Sequence, residues 1–280
     1  MKPAKPHPSG LLPHLPPVLA MLSLGIASFG LFGQASAEAV DSELVLLVDV
    51  TQSGLNKNDF GSLMQSYAST FTSTEVLNSI QSGTYGRIAV SLMFYGNSSV
   101  QQVGIPWMSI GNATDASKFA ALATSVSRPF SNGGSDIASA LTAATLAIGK
   151  ETGGLANGFE SSVQIIDIAA ASTPKSGAQA TRDAVLAAGV DVINAIALGN
   201  KATSIASYFS AQVIGSTLSG VAATSSTSGV NAALTAALTQ EISNTVNMGA
   251  FGGATVVPEP NTAFALMTGL GLMLILRRRS

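Results

Sequence analysis

Between residues 42 and 247 the chain alternates nearly continuous apolar runs with stretches in which apolar residues recur every three or four positions. The runs predict strands buried on both faces of a parallel sheet, and the spaced stretches predict helices with one apolar face. Residues 43–50 (ELVLLVDV), 87–95 (RIAVSLMFY), 163–169 (VQIIDIA) and 190–198 (VDVINAIAL) form the buried strands, with an adjacent edge strand at 100–107. Phe60, Leu63, Met64, Tyr67 and Phe71 share one face of a long helix expected over 58–80. Further helices are expected at 116–126, 136–149, 178–188, 202–209 and 230–242, with Gly189 placed to end the fourth of these six in a left-handed cap. A Ser/Thr-rich stretch at 216–228 reads as a loop around a short strand. Strands alternating with helices of this length imply an α/β fold, a doubly wound, mostly parallel sheet with helices on both faces, in one domain over 38–247.

Both ends break the pattern. Lys2 and Lys5 precede an apolar run at 18–32, and Ala35-Ser36-Ala37 then offers a small-x-small cleavage site before Glu38. The run is short for a comfortable membrane span, which favours a signal peptide over 1–37 rather than a retained anchor. At the other end, Gly249, Gly252 and Gly253 make a linker over 248–256. Pro258-Glu259-Pro260 follows, then an apolar run at 263–276, then Arg277-Arg278-Arg279. Fourteen helical residues span roughly 21 Å, short of a hydrocarbon core of roughly 30 Å. Three arginines straight after the run favour the cytoplasmic side. The order of parts over 257–280 resembles the PEP-CTERM sorting signal of Gram-negative bacteria. That resemblance implies an exosortase-type processing enzyme, a transient transmembrane helix in the inner membrane, and a body exported to the cell surface or secreted. A plain C-terminal anchor is the alternative.

Charge and composition narrow the chemistry. The body, residues 38–260, holds 8 basic and all 15 acidic residues, a balance of −7. An acidic body without a basic cluster argues against nucleic acid as a partner. There is no Cys, and both histidines, His7 and His14, fall within the expected signal. Disulfides, Cys nucleophiles, Cys/His zinc sites and Ser-His-Asp triads are thereby excluded from the body.

Open sheets of this kind bind ligands at the carboxyl ends of their strands. The first strand ends in Asp49-Val50-Thr51-Gln52-Ser53, a carboxylate and two hydroxyls at alternate positions. Oxygen donors of this kind suit a hard cation such as Mg²⁺. The segment resembles the Asp-x-Ser-x-Ser start of the metal-ion-dependent adhesion site of von Willebrand factor A domains, with Thr51 in the first Ser position. The resemblance implies a further hydroxyl ligand before a central helix, which falls on Ser135 in Gly133-Gly134-Ser135. It also implies a carboxylate in the loop after residues 163–169, where Ala171 stands at the expected position. Asp167 lies four residues earlier, inside the strand, and Asp136 could compensate only if turned inward. The blander roles are capping ones: Ser135 suits the N-cap of the helix at 136, and Ser53 could precede the first helix. Asp49 is harder to dismiss, because a buried carboxylate needs a partner.

The stretches Tyr85-Gly86-Arg87-Ile88-Ala89-Val90, Pro106-Trp107, Arg128-Pro129-Phe130 and residues 189–198 resemble a bacterial family of uncharacterised exported A-domain-like proteins. The resemblance spans roughly residues 42–246. Trp107 and Arg87 read as structural, with a strand-end carboxylate as an alternative partner for Arg87. The expected function is adhesion or binding of a protein or exopolysaccharide partner, through a weak divalent-cation site at Asp49, Thr51, Ser53 and Ser135. No catalytic residue is expected. A metal-assisted hydrolase at the same strand end, limited to carboxylates and lysines as bases, and a passive matrix component are the alternatives.

Overall fold

The structure, a computed structural model, describes residues 36–251 except 53, 130–132, 173, 175–176, 216–220 and 225–226, with backbone alone at 221–230, 233 and 245–251. The expected signal, the sorting tail and Ser53 lie outside the described residues.

Six strands form the main sheet: β2 (Glu43–Asp49), β3 (Ile88–Tyr95), β4 (Gln101–Ile110), β6 (Gln164–Ala170), β7 (Val192–Leu198) and β8 (Val221–Thr224). Their spatial order is β4-β3-β2-β6-β7-β8. All neighbours run parallel except β3 and β4, which pair antiparallel at the edge. Every residue of β2, β3 and β6 is buried, as their unbroken apolar runs require when helices cover both faces. β4 is mostly half-buried or exposed, in keeping with an edge position.

On one face pack α1 (Lys57–Phe71), α2 (Thr74–Gln81), α3 (Ala113–Ser125) and α7 (Thr227–Phe251), through residues including Phe60, Phe71, Val76, Phe119 and Leu238. On the other pack α4 (Ile137–Ile148), α5 (Ala178–Ala187) and α6 (Ala202–Gln212), through Ile137, Val185 and Phe209. The sheet is therefore doubly wound, as the alternation of patterns predicts. Its winding reverses at β2, whose neighbours β3 and β6 are reached by connections on opposite sides. The carboxyl ends of β2 and β6 thus flank the crevice where such folds bind ligands.

Four local expectations are revised. The helix expected over 58–80 is two, because Thr72 returns its hydroxyl to Ala68 O (2.8 Å) while Ser73 turns extended and caps α2 by accepting from Val76 N–H (3.2 Å). The edge strand runs to Ile110 rather than 107. Helix α7 runs to Phe251, so Gly249, expected in the linker, lies inside it. The fourth is a small parallel pair, β1 (Glu38–Ala39) with β5 (Phe159–Glu160), that no apolar pattern announces.

Candidate functional site

Asp49 is the last residue of β2 and is fully buried. One carboxylate oxygen accepts from Thr51 N–H at 2.9 Å, closing a tight turn as the chain leaves the strand. The other accepts from the Ser172 hydroxyl, which itself accepts from the Thr51 hydroxyl at 3.1 Å. Thr51 and Ser172 are also buried. Burial pushes the Asp49 carboxyl up, and the hydrogen bonds from Ser172 and Thr51 pull it back toward the charged form.

Two neighbouring elements fix this turn. The Arg128 guanidinium, beyond the end of α3, donates to Val50 O (2.9 Å) and Thr51 O (2.7 Å). Gly54 N–H closes onto Thr51 O at 3.0 Å. A β-carbon at Gly54 would sit 3.0 Å from the Thr51 hydroxyl and 3.4 Å from Asp49 Oδ2, so a side chain there would crowd the cluster.

Across β3, Tyr95 pairs in register with Asp49, and Val50 N–H donates to Tyr95 O at 2.8 Å. Its hydroxyl is buried without a hydrogen-bond partner. Burial raises the phenol well above its ordinary range, and the Asp49 charge adds to that rise. The Ser135 hydroxyl lies close enough to offset part of it, but the two hydroxyls do not meet in hydrogen-bond geometry.

Ser135 does not cap α4. Asp136 does, accepting from Ser139 N–H at 3.1 Å, while its own N–H donates to Gly96 O at 2.8 Å. Asp136 is thus occupied by the helix end rather than turned toward Asp49. The Ser135 side chain is left fully buried, its hydroxyl unpartnered among the described residues. A buried hydroxyl with no partner costs about 1–3 kcal/mol and calls for an explanation.

Of the four residues predicted from sequence, Asp49 and Thr51 meet directly, Ser135 makes no hydrogen bond to either, and Ser53 lies outside the described residues. The loop after β6 contributes differently from the expectation. Ala171 packs against the apolar cluster beneath α1 and α7, and Ser172 is the residue that faces Asp49. Asp167 points into that same apolar layer, where it interacts with Tyr67 of α1 and Glu241 of α7, well away from the strand end. Ser172 and Tyr95 were missed by the sequence reasoning. The signal for Tyr95 was available, since it ends a fully apolar strand beside β2. Trp107 and Arg87 are structural as expected: Trp107 donates to Ala147 O at 2.8 Å, and Arg87 pairs with Glu38 at 2.8 Å on the surface.

The donor set is all oxygen with one carboxylate: Asp49, Thr51, Ser172 and Ser135. It fits a hard divalent cation in kind, and the unpartnered Ser135 hydroxyl is the observation that favours such a fit. With a single negative charge the set would hold an ion weakly. Among the described residues, no group of three acidic, His or Cys side chains is placed to hold a metal.

The doubly wound sheet is a von Willebrand factor A-like fold, which it shares with the mussel structures that follow. Proximal thread matrix protein 1 from the mussel byssus superposes with a TM-score of 0.51 at 16% identity, over 73% of this chain and 49% of that one. A structure of the same mussel protein with a zinc-occupied MIDAS motif gives 0.50 at 16%, over 73% and 48%. A von Willebrand factor type A protein from Catenulispora acidiphila gives 0.45 at 11%, over 75% and 43%. The chain spans about half the length of these structures. It belongs to the family described as "Protein of unknown function (DUF1194)", which matches residues 39–246. No curated protein matches it.

Proposed function

We propose that this chain is an exported binding module whose A-type domain recognises an acidic group on a protein or exopolysaccharide partner at the Asp49 strand end. The observation that carries the reading is the buried, unpartnered Ser135 hydroxyl beside a cluster of Asp49, Thr51 and Ser172 at the switch point of the sheet. Asp49, Thr51, Ser172 and Ser135 would hold a divalent cation, with Ser53 the further hydroxyl the sequence offers. Such an ion would supply an open coordination position to a partner carboxylate. The chain's own residues do the rest: Arg128 and Gly54 hold the turn rigid, and the surrounding burial excludes water from Asp49.

The reading is non-catalytic, because a body without His or Cys has few groups that can shuttle a proton at neutral pH. Export and membrane processing rest on the terminal segments of the sequence. Processing by an exosortase-type enzyme would place the body at the cell surface or release it.

The test is thermal unfolding of the full chain in chelator and with millimolar Mg²⁺, Mn²⁺, Ca²⁺ or Zn²⁺, for the native sequence and Asp49→Asn. At least one ion should raise the native Tm by several degrees and leave the near-isosteric variant unmoved. Equal stabilisation of both, or of neither, would sink the cation site.

A further inference from the structure

The apolar layer beneath α7 contains two acids. Asp167 lies in the middle of β6, between Leu46 of β2 and Asn194 of β7, and is 1% exposed. Both of its carboxyl oxygens are buried without a hydrogen-bond partner. Glu241 of α7 is 7% exposed and faces the same layer, where it interacts with Asp167 and with the Asn194 side chain. Tyr67 of α1 closes the group, fully buried with its hydroxyl unpartnered.

We propose that Asp167 and Glu241 form a proton-dependent latch, which docks α7 on the sheet while the pair is protonated and loosens it as the pair ionises.

The surroundings leave few ways to carry charge there. Among the described residues Tyr67 is the other titratable group that acts with the pair, and it is neutral below strongly alkaline pH. The strands β2 and β7 face it with Leu46 and Asn194. Glu241 is the only ionisable side chain in α7. Glu75 of α2 and Lys57 and Asp59 of α1 stand at helix ends, and among the described residues no cation acts on either acid. Burial is the first cause that raises both carboxyls, Asp167 to about 7 against the pull of the Ile168 amide, and Glu241 well above its ordinary value, where the Asp167 charge adds to the rise and Asn194 opposes it.

What holds α7 against this is limited. Leu234, Leu238 and Ile242 are its fully buried apolar residues among those described, and Thr235 and Ser243 add hydroxyl contacts to Thr70 and Ser79, each at 3.0 Å. Leu238, Glu241 and Ile242 lie within one helical turn, so a charge at Glu241 falls on the docked stripe itself. Leaving the sheet lets Glu241 reach water and relieves Asp167. The sign follows from the raised carboxyls: docking is firmest at acidic pH and is lost as pH rises through about 7.

The experiment is hydrogen exchange of the full chain between pH 5.5 and 8.5, corrected for intrinsic exchange rates and read on peptides covering 234–242 and, as reference, 164–170. For one linked proton the opening equilibrium rises about tenfold per pH unit between the ordinary carboxyl value of the open state and the docked value of about 7, and levels off above it. Protection of α7 should therefore fall by more than about tenfold, while β6 stays protected. Asp167→Asn/Glu241→Gln should abolish the change. If that variant fails to fold, Glu241→Gln alone should reduce the change and move it in pH. A flat native profile, or an unchanged loss in the variants, overturns the latch. So does recovery of protection at pH 8.5 on adding a divalent cation to the native chain, since that would make the pair a cation site.

Discussion

The Ser172 hydroxyl touches both Asp49 and Thr51, so it is the residue at which charge in this site can be tuned. Ser172→Asp would place a second carboxylate against a buried one. In chelator this should destabilise by about 1–3 kcal/mol, and millimolar divalent cation should restore more stability than it gives the native chain. Ala171→Asp should cost at least as much without any rescue, because position 171 packs on the apolar layer. Cation-dependent unfolding curves of the two variants separate these outcomes; rescue of Ala171→Asp instead would overturn the placement of Ser172. The sequence reads as far as Asp49 and Thr51 because both sit on the strand's own continuation, where alternation fixes direction. It fails one residue past β6, since a run of Ala169-Ala170-Ala171 carries no side chain to mark where the strand stops and the loop turns. Ser135 is ambiguous for a related reason. Ser and Asp are both good N-caps, and only the bond from Ser139 to Asp136 decides which one is spent on the helix.

At the scale of elements, apolar runs reveal the strands wherever both faces are covered, and reveal nothing where an element is too short to bury anything. The two-residue strands β1 and β5 are held by a few main-chain bonds and by side-chain contacts of Glu38 and Phe159, and the break before α2 by two hydroxyls. The start of β2 adds a titration that pattern alone does not show. Glu43 is fully buried there and accepts from the Asn157 amide and, at 2.9 Å, the Ser161 hydroxyl. Burial first, opposed by those bonds and assisted by Glu151 and Glu160, raises its carboxyl to about 7. A carboxyl raised on folding stabilises most below the unfolded value near 4.5 and loses that contribution as pH climbs to about 7. Glu43→Gln should therefore flatten the fall in stability between pH 5 and 8, by an amount up to about 3 kcal/mol. Denaturant unfolding at the two pH values checks this, and an unchanged fall would mean that Glu43 is not among its causes. The measurement is distinct from the exchange of α7, because Glu43 hydrogen-bonds Asn157 and Ser161 in the loops after α4 and not α7.

For the whole molecule, the question is how a body that begins at a predicted cleavage site joins its own fold. Glu38 is the first residue of β1, its N–H donates to Gly158 O at 2.8 Å, and its carboxylate meets Arg87 (2.8 Å) and Ser109 (3.0 Å). Cleavage after Ala37 would turn that amide into an ammonium, which can still donate to Gly158 O. The new terminus would also lie beside the Glu38 carboxylate in a body that carries a balance of −7. A cut two residues later would remove β1 and leave Arg87 without its carboxylate. A mature chain that starts at Glu38 would keep β1 and its ion pair, and if the expected signal is cleaved, N-terminal sequencing or intact mass of the protein recovered from an exporting cell should read Glu38-Ala39-Val40. Glu38→Gln should leave that start unchanged while weakening the surface pair by about 1 kcal/mol or less. A mature start at or beyond Val40, or retention of residues 1–37, would separate the secretion signal from the fold and leave β1 with no part in seating the mature terminus.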